Sequence, residues 1–323
     1  MAIQSIELKN FTVFKDLKCE FSPGVNVFIG ENGTGKTHLL KLLHTANTEY
    51  SSSYLYSVGD LFGHEFSILN CWFYINGYEH PWTMTIANGI IPPPNSQINL
   101  EIDSKNSSVF IPAKEILSMS NLTRVADDYK RTIDIDITLI EIIKKAKNLI
   151  PDTPPSKLAL KIAPILENVI QGKVFFDEEK QKFWIHKTNG QKIPFTSEAE
   201  GFKKLGLIWQ LVMNKNLAEK SILFFDEPES NINPKLIPDL VDILLELSRH
   251  GVQIFIATHD YVISKYFEVR QKRNDNVLFH SMYKSDVGVI SESSENFRDL
   301  KNNPIIAALD VLMDEVIERN MGD

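Results

Sequence analysis

The stretch VNVFIGENGTGKTHLLKLLH, residues 25–44, constrains the fold more tightly than any other part of this chain. A short apolar, β-prone run enters a glycine-rich loop, and a segment apolar at helical spacing leaves it. A strand that feeds its chain straight into a helix belongs to a βαβ unit, so the pattern calls for a mostly parallel sheet covered by helices. Gly30, Gly35, Lys36 and Thr37 stand at the spacing G-x-x-x-x-G-K-[ST]. Glycines in such a loop let N–H groups converge on phosphate oxygens, and the helix N-terminus adds a partial positive charge. Residues Gly30, Glu31, Asn32, Gly33, Thr34, Gly35, Lys36, Thr37 and His38 are therefore the candidate phosphate cradle. Within it, Lys36 can reach the β- and γ-phosphates and the Thr37 hydroxyl can ligate Mg²⁺. A glycine turn that merely caps a helix is the alternative, and the strand and helix on either side count against it.

A second apolar strand, SILFF, ends in Asp226 and Glu227. Buried strands of α/β sheets present side chains at their C-terminal tips, where ligands bind. Adjacent carboxylates there suit a division of labour in which Asp226 orders a metal shell and Glu227 polarises an attacking water. One helix later VQIFIATHD repeats the architecture and ends in His259, whose imidazole could bond the γ-phosphate or the water.

Asp226-Glu227-Pro228 followed by a strand ending in THD resembles the ATP-binding-cassette class of P-loop ATPases. Within that class, DEPESNINP and VFIPAKEILS are similar to the RecF, SMC and OLD branch, including the stand-alone AAA-type ATP-binding proteins of bacterial anti-phage systems. The resemblance covers residues 1–44 and 195–270 and reaches the middle only loosely. It implies an α/β ABC-type ATPase head with a mostly parallel core sheet, an antiparallel N-terminal β lobe and a helical insert. It also implies ATP and Mg²⁺ as cofactors, with Glu227, His259 and Lys36 as catalytic groups and Thr37 and Asp226 as metal ligands. Heads of this family sandwich two nucleotides as a homodimer, each offering its partner's ATP a signature loop at a helix N-terminus. The matching stretch, TSEAEGFKKLG, sets Ala199, Glu200 and Gly201 on the signature positions, so Ala199 replaces the usual serine. Ser197 is a candidate for the missing hydroxyl, and Asn233 replaces the aspartate usual in the loop after the catalytic glutamate. Both departures point to slow turnover.

Three segments are expected: 1–112 as an N-terminal lobe with the phosphate loop, 113–195 as a helical insert and β meander, and 196–323 as the C-terminal lobe. Asn-Gly pairs at 76–77 and 189–190 lie between β-prone runs and read as hairpin turns. In the insert, Ile137, Ile140 and Ile143, with Leu139 and Ile142, face one side of a helix. The last helix aligns Ile306, Leu309, Leu312 and Val316; a core face is favoured over a docking face.

The 323 residues carry net charge −8, which argues against a protein that coats nucleic acid non-specifically. Residues 113–195 hold 14 Lys/Arg against 11 Asp/Glu, so the insert is the more basic part and offers Lys144, Lys145 and Lys147 as docking residues. Cys19 and Cys71 form no metal-spaced pair and read as buried thiols of a reducing compartment. No apolar run reaches the roughly 18 residues that span a bilayer, and the N-terminus lacks a signal pattern. A cytoplasmic protein without membrane contact is expected. The intervening sequence is too short and irregular for an SMC arm, and no nuclease cluster follows His259, so a separate effector, a nuclease or a toxin, is the expected partner, with nucleic acid as a further one. The competing readings are a RecF-like ATPase acting on DNA in repair and an ATP-binding scaffold that turns over slowly and restrains a toxin. The nucleotide subunit of a transporter is disfavoured because Glu229 stands where threonine is usual.

Overall fold

The computed structural model describes residues 2–47, 68–75, 78–85, 97–102, 107–123 and 136–321. Its centre is a six-stranded sheet in the order β14-β13-β3-β12-β11-β7. These strands are β3 (Val25–Gly30), β7 (Ser108–Ile111), β11 (Ile222–Asp226), β12 (Gln253–Thr258), β13 (Val277–Ser285) and β14 (Gly288–Ser294). Every pairing is parallel except that of β13 with the edge strand β14. Strands buried on both faces need apolar residues at odd and even positions alike. In β3, Val25, Val27 and Ile29 join one core while Phe28 joins the other; Leu223 and Phe225 against Ile222 and Phe224 in β11 repeat the alternation.

One face packs against α3 (Lys157–Ile170), α4 (Glu200–Met213), α5 (Ile237–Arg249) and α6 (Tyr261–Arg270); the other packs against α1 (Lys36–Asn47) and the N-terminal lobe. The lobe sheet has the order β2-β1-β6-β4-β5, from β1 (Ile3–Phe11), β2 (Phe14–Glu20), β4 (Ile68–Ile75), β5 (Tyr78–Thr85) and β6 (Gln97–Ile102). It is antiparallel except for the β4–β6 pair. Ile75 pairs with Tyr78 as a two-residue hairpin requires, while Asn76 and Gly77 themselves lie outside the described residues, as does the side chain of Cys71. Cys19 is buried, which pushes its thiol up to about 11.

The insert begins irregularly and turns helical at residues 122 and 123. Between Ala113 and Thr123 it forms a 3₁₀ turn, Leu117–Met119, and residues 124–135 lie outside the described residues. α2 (Ile137–Lys147) follows, capped by Asp136, whose carboxylate accepts from the Thr138 N–H. Ile140, Ile142 and Ile143 are buried as the spacing requires. A three-stranded antiparallel meander closes the insert: β8 (Gly172–Asp177), β9 (Lys182–Lys187) and β10 (Lys192–Pro194). Gly190, at φ +85°, lets the chain turn between β9 and β10.

α7 (Pro304–Met321) corrects one expectation. Ile305 and Ile306 pack on the core, and Asn303 caps the helix through the N–H groups of both. Beyond them Leu312 and Val316 are exposed, with Val311, Met313 and Ile317 beside them. The face assigned to the core packs on it at Ile306, is half-buried at Leu309 and is exposed from Leu312 onward.

Buried polar groups join the layers. The Gln253 side chain exchanges hydrogen bonds with both backbone groups of Ile3 and donates to the Ser22 carbonyl. His280, on β13, is fully buried, stacked 4.4 Å from Phe28, and bonded to Asn26 Oδ1 through Nε2 and to the Ser293 hydroxyl through Nδ1. A neutral imidazole satisfies both bonds, as donor at Nε2 and acceptor at Nδ1. Burial lowers its pKa from 6.5 to about 3. Between those values the unfolded chain binds the extra proton, so stability is lost as pH falls below 6.5. His280→Gln should lose about 2 kcal/mol less stability than wild type between pH 7 and pH 5, as read by urea unfolding. Equal losses would show that His280 is not the group that titrates.

Candidate functional site

Parallel alignment brings the C-terminal ends of β3, β11 and β12 to one edge of the sheet, because Phe225 pairs with Ile256 and Ile29 with Thr258. Each strand delivers part of the predicted site there: the phosphate loop, Asp226-Glu227 and His259.

The loop's glycines are each required. Gly33 and Gly35 have φ of +78° and +85°. A Cβ on Gly35 would meet Phe14 Cζ at 2.5 Å, and one on Gly30 would meet the Met282 carbonyl oxygen at 2.3 Å. The Thr34 hydroxyl closes the loop on the Glu31 carbonyl at 2.9 Å. Lys36 turns back over it, Nζ donating to the carbonyls of Gly30 (2.6 Å) and Glu31 (2.9 Å). Burial lowers the Lys36 pKa, with Asp226, Glu227 and Glu229 pulling the other way. An anion placed in the loop would relieve that burial cost, and the ammonium can exchange carbonyl partners for phosphate oxygens.

Thr37 Oγ1 lies 3.0 Å from both carboxylate oxygens of Asp226. Burial raises the Asp226 pKa, the Thr37 bond opposes the shift, and the charge of Glu227 adds to it. A half-buried carboxylate pushed toward protonation, beside a hydroxyl, is a hard-oxygen pair that a divalent cation would stabilise. Mg²⁺ commonly takes one or two such groups and completes its octahedron with water and substrate phosphates. The residues present therefore fit Mg²⁺.

Glu227 has φ +43°, the left-handed region that is costly for a residue with a side chain. Its N–H donates to the Ala257 carbonyl at 2.8 Å, and its Oε1 lies 3.2 Å from His259 Nδ1. Both side chains are partly open to solvent, as groups that must meet a water and a phosphate would be. Sequence reasoning missed Glu229 as a member of this cluster: Thr258 Oγ1 donates to its Oε1 at 2.5 Å, and burial raises its pKa. Thr258 in turn accepts from the Asp260 N–H, and Asp260 caps α6. That chain ties the Glu227 loop to the His259 loop.

Ala199, Glu200 and Gly201 stand at the N-terminus of α4, with Ala199 exposed at the cap and making no side-chain bond there. Glu200 bonds Lys203 at 2.8 Å, and Gly201 packs closely on Leu236 and Ile232. Ser197 lies exposed in the preceding 3₁₀ turn, Phe195–Ser197. Asn233 has a local job: its Oδ1 accepts from the Lys235 N–H and caps the turn Pro234–Leu236.

A polar cluster outside the motifs joins α1 to the insert. Lys41 pairs with Asp136 at 2.5 Å, and buried His44 bridges the Ser108 hydroxyl and Glu141. Burial opposes ionisation of Glu141, yet His44 and Lys145 outweigh it and bring its carboxyl down to about 2.

Comparison with known proteins gives consistent relationships. The sequence model of the family described as "AAA domain, putative AbiEii toxin, Type IV TA system" matches residues 87–264, and that of "AAA ATPase domain" matches residues 1–139. The chain is 48% identical over 44 residues to the DNA replication and repair protein RecF of Lactococcus lactis subsp. cremoris. It is 56% identical over 41 residues to RecF of Listeria welshimeri. These matches cover 14% and 13% of this chain and only 12% and 11% of the relatives. Among solved structures, the SmcHead bound to the C-winged helix domain of ScpA superposes with TM-score 0.53 at 13% identity, over 93% of this chain and all of that one. An Smc head with an extended coiled coil, bound to the C-terminal domain of ScpA derived from Pyrococcus furiosus, gives 0.50 at 12% identity, over 97% and 99%. At such identities the likeness shows the fold.

Lys36→Ala should weaken nucleotide binding about 10- to 100-fold by removing charge-assisted hydrogen bonds at the phosphates. Fluorescent-nucleotide titration measures it, and an unchanged affinity would remove Lys36 from the cradle.

Proposed function

The chain belongs to the AAA-domain family that its residues 87–264 match, and from that premise we propose that it is a Mg²⁺-dependent ATPase whose heads close on ATP and whose state controls a separate effector protein. The observation that carries this reading is the bond of Thr37 to Asp226, which joins the phosphate loop to the strand bearing Glu227. In the proposed reaction the loop and Lys36 hold the triphosphate. Thr37 and Asp226 would hold Mg²⁺, which would supply positive charge beside the phosphoryl oxygens. Glu227 accepts a proton from the attacking water, and His259, bonded to Glu227, orients that water or the γ-phosphate.

Ala199, Glu200 and Gly201 are read as the face offered to a second copy's nucleotide, so the active form is a homodimer. Without a hydroxyl at Ala199 one donor is missing, and turnover is correspondingly slow. The segments 1–112, 113–195 and 196–323 are read as parts of one head, and the place of β3 between β12 and β13 supports joining the first to the third. The exposed apolar stripe on α7 is the better candidate effector surface. Lys145 and Lys147 of the insert are engaged within the chain, with Glu141 and with Thr123 and Gln181. A role in bacterial anti-phage defence, in the cytoplasm, is part of this reading, and the family's description, which names a putative toxin of a type IV TA system, supports the link to a toxin. The second reading, an ATPase acting directly on DNA, is favoured by the identity shared with RecF proteins.

Glu227→Gln should retain nucleotide affinity while phosphate release falls about 100-fold or more, because the cradle stays intact and the base is lost. Light scattering should show that variant doubling in mass with ATP and Mg²⁺, as nucleotide shared between two chains stabilises their contact. Hydrolysis at the wild-type rate would remove Glu227 from its role, and an unchanged mass at saturating ATP would contradict the sandwich.

A further inference from the structure

Lys204 lies in the second turn of α4 and is almost wholly buried, an expensive place for an ammonium. Its Nζ donates to the carbonyl oxygens of Glu227 (3.1 Å) and Pro228 (3.4 Å) and stands 6.0 Å from the centre of the Phe225 ring. Burial draws its pKa down to about 8 against the charges of Glu229, Glu227, Glu200 and Asp226. The Glu227 carbonyl therefore accepts twice, from Lys204 and from the Ser230 N–H at 3.0 Å, while the Glu227 N–H is held by Ala257. This is also the residue whose backbone stands at φ +43°. A strained conformation persists only where its surroundings over-determine it. Here a lysine from a different element supplies part of that determination.

We propose that Lys204 is a positioning residue for hydrolysis: its ammonium pins the Glu227 and Pro228 carbonyls and so fixes the backbone that aims the Glu227 carboxylate toward His259. A second consequence follows from where Lys204 is carried. It stands one turn from Ala199, Glu200 and Gly201 on the same helix, so any shift of that N-terminus moves the anchor of the Glu227 loop. The bland alternative is a core lysine that satisfies leftover carbonyls. It predicts a loss of stability without a specific loss of turnover.

The inference rests on Glu227 acting as the base, and the test separates the two. Full-length Lys204→Met, which fills the space without donating, and Lys204→Arg, which donates, are compared with wild type. Lys204→Met should lower kcat about 10- to 100-fold with KM and nucleotide affinity within about twofold, since a misplaced base costs rate rather than binding. Lys204→Arg should recover a large part of kcat. Amide exchange should quicken at Glu227 and Ser230 in Lys204→Met and stay unchanged in the sheet. A Lys204→Met chain with wild-type kcat, or one that loses affinity, rate and protection throughout with no recovery by arginine, would overturn the proposal. Should wild type itself hydrolyse nothing, the reading of Glu227 fails. Exchange then still decides Lys204, local loosening supporting it and none overturning it. Lys204→Gln replaces the methionine variant if that chain does not fold, and the same outcomes apply.

Discussion

Parallel pairing of β3, β12 and β11 is the constraint on which the rest of the molecule depends. Because the three strands run the same way and end together, residues far apart in the chain meet at one edge of the sheet. The phosphate loop leaves β3, the carboxylates leave β11, and His259 leaves β12. Such strands are buried on both faces, which explains why their sequences are continuous apolar runs rather than alternating ones. The row of stacked rings Phe224, Phe255 and Phe28 crosses them and packs the N-terminal lobe against the sheet.

On that frame, charge is what makes the edge chemically useful. Asp226, Glu227 and Glu229 stand within reach of Lys36 and Lys204, both buried and both drawn below the usual lysine range by that burial. The two lysines face different partners. Lys36 bonds carbonyls of the phosphate loop, which an arriving triphosphate can displace, whereas Lys204 bonds the carbonyls of Glu227 and Pro228 from within the core. One cation is therefore poised for ligand exchange and the other is fixed to the frame. The bond of Thr258 to Glu229 joins the loops after β11 and β12.

Much of this was legible in the sequence, for local reasons. Gly30, Gly33 and Gly35 are needed because backbone conformation and close approach leave no room for a Cβ, and such requirements fix residue type at fixed spacing. Asp226, Glu227 and His259 were found because they end apolar runs. What escaped depends on non-local packing. Lys204 looks like any charged residue of an amphipathic helix until α4 is laid against the Glu227 loop. Asn233 looked like a defect in a motif and is a turn cap. The apolar face of α7 has the period of a core helix, but whether a sheet lies opposite it is not written in its own residues. The parallel β4–β6 pair within an otherwise antiparallel lobe is likewise a matter of strand order.

Phosphate release by the purified wild-type chain, measured with saturating ATP in Mg²⁺ and again after chelation, tests the central claim most directly. The junction of Thr37 with Asp226 is read as the place where a cation and a triphosphate meet. The expected result is slow but measurable turnover in Mg²⁺ that chelation abolishes and Mg²⁺ restores. Turnover indifferent to the cation, or stoichiometric ATP binding with no phosphate released in Mg²⁺, would contradict it.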